Sequence, residues 1–333
     1  MDSVFAKADG VYYKSELIID YKCNKKHFSF QWKELLKKII WNNYDFVYIR
    51  YEAYANPLFN SFLKGIKKSG VNIILEIPTY PYDREKLWRG NNHLISFIKM
   101  VVEKIFRLLL KKHVYRVVTF SNDDVIFGIK TIKISNGIDL SAVEIKKNTK
   151  EKDYISLVGA AALKYWHGYD RLINGLSNYY MTAPKVKVKF QIIGNSIDST
   201  LGDLVNLVAR LKLGKYVDFI GNVQYDLLNK YFEDADIGIG SLGRHRTGIT
   251  QLSALKNREY AARGIPFIYS ENDKDFDGKE FVMKVPANET AIDVCQIVNW
   301  YISIKKKVTP QQIRDSVKHL DWEEQIQKIV SFI

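Results

Sequence analysis

Short runs rich in β-branched and aromatic residues alternate with amphipathic stretches along nearly the whole chain. Parallel strands need crossover connections, which are usually helices, so this alternation predicts an α/β fold with parallel sheets. In the first half, the pattern predicts strands at 46–50, 73–77, 117–120 and 132–134 and a helix at 58–68. In the second half, it predicts strands at 154–158, 188–193, 216–220, 236–240 and 267–269, helices at 169–180, 201–211, 225–232 and 253–262, and a last helix opening at 321.

The length of 333 residues is enough for two separate hydrophobic cores. We therefore expect two doubly wound, Rossmann-like domains. A polar run at 146–152, Lys-Lys-Asn-Thr-Lys-Glu-Lys, is typical of an interdomain linker. It separates an N-terminal domain at 1–150 from a C-terminal domain at 151–310, with further helices at 311–333.

Composition argues against several classes of protein. Cys23 and Cys295 are far apart and have no partner spacing, so neither a disulfide framework nor a cysteine-based zinc site is expected. The first residues lack the apolar core of a signal peptide. The apolar stretch 94–110 carries Lys99, Glu103 and further charges, which are too costly for a membrane-spanning helix. We therefore expect a cytoplasmic protein.

The net charge of +13 implies a phosphate-bearing or polyanionic partner, and nucleic acid, anionic lipid and nucleoside diphosphate all fit. No basic-aromatic motif of a nucleic-acid-binding protein is present, so we expect no nucleic acid. The segment 93–116 combines a wide apolar face with many basic residues and one acid, Glu103, which is typical of a helix at an anionic membrane surface. The alternative is a core helix whose basic residues are merely solvated.

The most informative segment, 241–251, follows a predicted strand and runs into a helix. Ligands bind at the carboxyl ends of strands in open α/β sheets, where glycine lets the backbone approach and a helix N-terminus attracts phosphate. On the helix, Lys256 and Glu259 share a face and could meet one ligand. The alternative is a solvated loop with an intrahelical Lys256–Glu259 pair. The residues that fit a diphosphate cradle are Arg244, His245, Arg246 and Gly248.

This segment resembles the donor site of glycosyltransferase family 4, whose members are retaining enzymes of the GT-B architecture, with two Rossmann-like domains facing a cleft. Other blocks agree in sequence order, including Ser-Asn-Gly-Ile-Asp at 135–139 and Glu-Ile-Pro-Thr-Tyr-Pro-Tyr at 76–82, the latter similar to bacterial surface-polysaccharide members. Further matching blocks lie at 158–159, 166–173, 192–195, 217–223, 231–237 and 258–267.

The resemblance implies transfer of a sugar from a nucleoside-diphosphate sugar to a hydroxyl acceptor, with retention of configuration and without a metal or cofactor. It makes Glu259 the residue that binds the ribose hydroxyls, with the backbone amides of Gly248 and Ile249 at the diphosphate and sugar. Surface-polysaccharide members suggest a lipid-linked saccharide acceptor at the inner face of the membrane. The residues that would surround the nucleobase are Gly194, Asn195, Gly221, Asn222 and Val223.

Several positions depart from the family pattern. Gln251 stands where a glutamate is usual, Ala160 replaces an arginine and His167 replaces a lysine. The residues 9–13 and 17–21 are interpreted as later, hairpin-like strands, so the first strand and glycine-rich loop are expected to be missing. These departures favour an alternative function, a catalytically silent GT-B subunit that binds a nucleotide sugar or stabilises a partner. The candidates for phosphate neutralisation, unranked, are Lys164, His167, Arg246 and Lys256.

The resemblance also suggests that the C-terminal helix at 321–333 returns to the N-terminal domain.

Overall fold

The structure, a computed structural model, describes residues 2–7, 10–21, 28–53, 55–78, 80–82, 93–147 and 152–333. It divides into two compact units, one of Met1–Ile134 with Gln327–Ile333 and one of Ser135–Ile326. Position 79 of the block 76–82 and positions 148–151 of the predicted linker lie outside the described residues.

The first unit contains a small antiparallel sheet and a five-stranded sheet. The small sheet has the order β1 (Val4–Ala6), β2 (Gly10–Tyr13), β3 (Glu16–Asp20), which confirms the hairpin-like interpretation of the N-terminal segment. The expected loss of a first strand and glycine-rich loop stays a prediction. The larger sheet has the order β4 (Phe46–Arg50), β5 (Asn72–Ile77), β6 (Arg116–Thr119), β8 (Ile129–Lys133), β7 (Val125–Ile126), and only β7 in it runs antiparallel.

The α-helices that the structure describes within residues 2–134 are α1 (Phe28–Lys38), α2 (Pro57–Lys68) and α3 (His93–Phe106). Helix α2 shows how the sequence fixes an element. The side chain of Asn56 caps its first turn, proline occupies the first helical position, and Gly70 follows its end with φ +81°. Its inward stripe, which includes Phe59, Leu63 and Ile66, is fully buried.

The predicted single helix over 93–116 is wrong in extent. Helix α3 ends at Phe106, a 3₁₀ turn covers Arg107–Lys112, and β6 begins at Arg116. The tighter turn leaves Leu110 fully buried, and its carbonyl accepts hydrogen bonds from the N–H groups of His113 and Val114, which ends the helical stretch before the strand.

The second unit is a doubly wound parallel sheet. Its six strands are β9 (Tyr154–Ala160), β10 (Lys187–Ile193), β11 (Val217–Gly221), β12 (Ile237–Ile239), β13 (Phe267–Tyr269) and β14 (Val282–Lys284). They lie in the order β11-β10-β9-β12-β13-β14, with every pair parallel. The order reverses direction between β9 and β12, and the carboxyl ends of strands at such a point are where these sheets bind ligands.

Helices cover both faces of this sheet: α4 (Tyr169–Met181), α5 (Thr200–Arg210), α6 (Tyr225–Glu233), α7 (Leu255–Ala262), α8 (Val294–Ile304) and α9 (Pro310–Asp315). The last helix, α10 (Trp322–Val330), has residues in both units. Alternate residues of one strand enter opposite cores. Leu157 and Ile192 belong to one buried cluster, whereas Val158 and Ile193 belong to the other.

Within the described residues, we find no helix whose length and hydropathy would allow it to cross a membrane.

Candidate functional site

A cavity of about 450 Å³ lies at the carboxyl ends of β9, β10 and β11. Its volume is in the range of small-molecule sites. The structure brings together here four of the five residues predicted at a nucleobase, and Gly221 opens the turn that carries two of them, with φ +77°. The lining residues are Ala160, Ala161, Ala162, Ile193, Gly194, Asn195, Ser196, Ile197, Asn222, Val223 and Leu228.

Gly194 is required by the shape of this cavity. Its φ is +121°, and a Cβ placed on it would lie 1.8 Å from the carbonyl oxygen of Ala161. The N–H of Gly194 donates to the carbonyl oxygen of Gly221 at 2.8 Å, and the N–H of Ala161 donates to Ile193 at 3.0 Å. The floor of the cavity is therefore backbone from neighbouring strand ends, held close together because no side chain intervenes.

The point where the strand order reverses is closed by two glycine-containing loops. A Cβ on Gly168 would lie 2.6 Å from the backbone nitrogen of Gly243, and the N–H of Leu242 donates to the carbonyl oxygen of His167 at 2.9 Å. The buried guanidinium of Arg171 also donates to the Leu242 carbonyl oxygen. These contacts join the two sequence blocks that were predicted to share a site.

Arg246 is bound by carboxylates in this structure. Its guanidinium donates to both oxygens of Asp170, at 2.9 and 2.7 Å, and to Glu289 at 2.6 Å. His245 Nε2 lies 2.6 Å from Glu289 Oε1, and Arg246 with His245 holds the pKa of that carboxyl far below its usual range. The roles of His245 and Arg246 at a diphosphate stay predictions, which require them to exchange these carboxylates for phosphate.

Of the two backbone N–H groups predicted to bind the diphosphate and sugar, one already donates a hydrogen bond within the protein. Gly248 ends the 3₁₀ turn Arg244–Thr247 with φ +70°, and its N–H donates to the carbonyl oxygen of His245 at 2.9 Å. The N–H of Ile249 has no acceptor within the described part of the chain. Gln251 is exposed and its backbone pairs with Asn272.

His167 is a weaker candidate for phosphate neutralisation than Lys256, and its role at a phosphate stays a prediction. Its Nδ1 accepts the N–H of Lys164 at 3.0 Å, so a neutral ring carries its proton on Nε2. Burial, with Lys256 and Arg244 nearby, lowers the pKa of His167 far below its usual range. Lys164 is itself paired with Asp198 at 2.8 Å.

Lys256 is the predicted phosphate candidate with the weakest internal bonds. Its Nζ has one long contact, 3.4 Å to the hydroxyl of Tyr169. Burial lowers the pKa of Lys256 to about 7, which Glu271 opposes and Arg244 reinforces. Partial burial makes its ammonium costly unless an anion compensates it, so its role at a phosphate stays a prediction that fits this environment.

Glu259 pairs with Arg263 rather than with Lys256, so the intrahelical alternative is wrong. Glu259 Oε1 accepts from the Arg263 guanidinium at 2.9 and 3.2 Å, and Arg263 also donates to Asn229 at 2.8 Å. Asn229 follows Leu228, which lines the first cavity. Glu259 itself lines a second cavity of about 230 Å³, with Gly137, Ile138, Asp139, Ala142, Val143, Leu255 and Trp322.

Sequence reasoning missed Glu271. It lies two residues after the end of β13, is 2% exposed, and neither carboxylate oxygen accepts a hydrogen bond from another described residue. Burial raises its pKa to about 7, against the attraction of Lys256 and Arg244. The signal that could have found it is a carboxylate two residues after a buried strand, at the sheet edge that binds ligands.

No model of a known protein family matches this chain, and no curated protein matches it. Several solved structures are similar to this chain. A glycosyltransferase from Rickettsia africae is 16% identical with a TM-score of 0.63, covering 93% of this chain and 82% of that one. HepE of Anabaena, solved with UDP, is 15% identical with a TM-score of 0.59, covering 90% and 81%. Sucrose-phosphate synthase of Thermosynechococcus elongatus is 14% identical with a TM-score of 0.60, covering 92% and 76%.

The chain has the GT-B fold. These neighbours come from several GT-B families and establish the architecture, two Rossmann-like units with helices on parallel sheets. Membership of family 4 and retention of configuration stay predictions.

Proposed function

We propose that this GT-B chain is a glycosyltransferase that takes its sugar from a nucleoside-diphosphate sugar bound to the second unit. The observation that carries the proposal is the cavity at the ends of β9, β10 and β11, with Gly194 in its lining. Lys256 on α7 adds a cation in the same unit, where its Nζ lies 3.4 Å from the hydroxyl of Tyr169. The cavity suits a planar base, and Lys256 suits the charge of the diphosphate. HepE was solved with both UDP and UDP-glucose, which supports this ligand class.

Within this proposal, the acceptor is a saccharide hydroxyl, carried on a lipid as in surface-polysaccharide synthesis, and transfer retains configuration without a bound metal. The resemblance to family 4 supports these finer points. A galactosyltransferase of the lipopolysaccharide outer core, WaaB, is among the structural neighbours, with a TM-score of 0.52. Lys256 and the Ile249 amide would stabilise the charge that develops on the departing diphosphate.

A catalytically silent subunit is the second candidate, because carboxylates occupy Arg246 and leave fewer cations for the leaving group. Donor hydrolysis separates the two. An enzyme should slowly release free sugar from the nucleotide sugar that it binds, and Lys256→Ala should reduce that release. Tight binding of a nucleotide sugar with no release, and no transfer to saccharide acceptors, would favour the silent subunit.

Glu259→Ala is expected to weaken nucleoside-diphosphate binding by about 1.5 kcal/mol, the lower end for a hydrogen bond to a charged group. We expect this small loss of binding free energy because one carboxylate oxygen of Glu259 already accepts a hydrogen bond from Arg263. Glu259→Gln should lose less. Calorimetry measures the change, with the exposed Glu280→Ala as control. Unchanged affinity in Glu259→Ala, with the circular dichroism spectrum intact, would mean that the ribose is bound elsewhere.

We also propose that the first unit binds anionic membranes through α3 and the turn after it. Glu103 is buried, where it accepts hydrogen bonds from Tyr51 at 2.7 Å and Tyr82 at 2.5 Å. The opposite side of the segment leaves an apolar stripe exposed, and basic residues lie along the same segment. The residues of the stripe are Phe97, Ile98, Val101, Ile105 and Leu108.

The double substitution Phe97→Ser with Ile105→Ser is expected to reduce co-sedimentation with anionic vesicles at least tenfold, because both side chains are more than half exposed and would enter the lipid. Binding of the wild type should also weaken as salt is added. Met181→Ser, which removes an exposed apolar side chain from the second unit, is the control. Equal binding of all three proteins, or no preference for anionic lipid, would contradict this surface.

A further inference from the structure

Glu271 lies at the base of the loop that carries the predicted diphosphate cradle. The N–H of Ser270 donates to the carbonyl oxygen of Ser241 at 3.0 Å, and the N–H of Asn272 donates to that of Thr250 at 2.7 Å. These two bonds lie on either side of Glu271 in the sequence, so the loop 242–249 leaves and returns beside it. The carboxylate is held at this position by backbone on both sides.

The hydrogen-bonding capacity of this carboxylate is not satisfied in the free protein. Both oxygens are buried and accept no hydrogen bond from another residue in the described ranges, so that only the backbone N–H of Glu271 itself favours the charged carboxyl by hydrogen bonding, and no ion pair within 4.0 Å joins Glu271 to Lys256 there. A buried polar group without partners destabilises the folded chain. Such a group is retained at functional sites when a ligand supplies the missing donors.

The chemistry of the site decides which donors these are. A carboxylate repels phosphate oxygens, so Glu271 does not bind the diphosphate itself. Hydroxyl groups donate to a carboxylate, and the part of a nucleotide sugar that carries hydroxyls beyond the diphosphate is the transferred sugar. We propose that Glu271 binds hydroxyl groups of the donor sugar and so contributes to sugar specificity; this inference rests on the proposed function.

The melting temperature of the free protein distinguishes this role from a structural one. If Glu271 stabilised the fold, its substitution would lower the melting temperature, whereas a ligand-binding role predicts an increase. Lys256, Arg244 and Asp273 are the charged groups around Glu271, and burial outweighs the attraction of the two cations. Because the pKa of Glu271 is higher in the folded chain than its ordinary value of 4.5, ionising it between about pH 4.5 and 7 destabilises the fold. Glu271→Gln should therefore raise the melting temperature, and more so at pH 8 than at pH 5.

The binding test uses UDP, GDP, ADP and dTDP, each with its glucose conjugate, on the wild type, Glu271→Gln and the exposed control Glu280→Gln. In Glu271→Gln, the ratio of the dissociation constants of conjugate and diphosphate should rise about tenfold, because a hydrogen bond to a charged group is lost only with the sugar present. The dissociation constant of the diphosphate should change less than twofold, and Glu280→Gln should match the wild type.

An unchanged ratio in Glu271→Gln, or a lower melting temperature at pH 8, would overturn this inference while leaving the proposed function intact. Failure of the wild type to bind any of the eight nucleotides would overturn both.

Discussion

Arg258→Ala is expected to lower the free energy of unfolding by about 3–5 kcal/mol, because it leaves one fully buried and one largely buried carboxylate without their cation. Arg258 is fully buried on α7, and its guanidinium donates to Asp273 at 2.9 Å and also to Asp275. Its Nε donates to the carbonyl oxygen of Asn136 at 2.5 Å. This side chain therefore ties the helix of Lys256 and Glu259 to the loop that follows Glu271.

Chemical unfolding followed by circular dichroism measures this loss. Arg210→Ala, which removes an exposed arginine from α5, should change the free energy of unfolding by less than about 0.5 kcal/mol. The loss in Arg258→Lys should lie between those of Arg258→Ala and Arg210→Ala, because one ammonium cannot make the paired hydrogen bonds of a guanidinium. A loss below about 1 kcal/mol in Arg258→Ala would show that the buried network contributes little to the fold.

Lys256→Ala is expected to weaken nucleoside-diphosphate binding by about 1.5–3 kcal/mol, the range for hydrogen bonds to charged groups. Binding of the bare nucleoside should change little, because the proposed contact is with phosphate. Calorimetry on diphosphate and nucleoside, in the wild type and the variant, gives the comparison. An equal loss for both ligands would place Lys256 away from the phosphates.

The same lysine predicts how affinity depends on pH. The free side chain has a pKa of about 7, and a bound diphosphate favours the ammonium, so binding above pH 7 must take up a proton. Affinity of the wild type should fall as the pH rises from 7.5 to 9.5. Lys256→Ala should lose this dependence.

The sequence predicts the strands and helices well where composition and periodicity agree. Predicted and observed bounds coincide at β4 and β13, and most other strands of the two sheets differ by a residue or two. The short strand β14, at the edge of its sheet, was missed because three residues carry too little pattern. The predicted helix over 93–116 is too long, because hydrophobic residues continue past the end of α3 through the 3₁₀ turn Arg107–Lys112.

The candidate site is predicted less completely than the fold. Four of the five residues predicted at the nucleobase meet at one cavity because they follow neighbouring parallel strands, which the alternation predicts. Asp170 and Glu289, which bind Arg246, lie 76 and 43 residues away from it in sequence, so no local sequence pattern predicts these ion pairs. Glu271 was missed for a related reason, since its lack of a partner is visible only once the surrounding backbone is placed.

The measurement that tests the central claim most directly is thermal unfolding of the wild type with UDP, GDP, ADP and dTDP, each compared with its nucleoside. A ligand at a hundredfold excess over its dissociation constant stabilises the folded chain by about 2.7 kcal/mol. We predict that at least one diphosphate raises the melting temperature, that its nucleoside does so far less, and that Lys256→Ala removes most of the difference. No shift with any diphosphate, or equal shifts with diphosphate and nucleoside, would contradict a nucleoside-diphosphate site in the second unit.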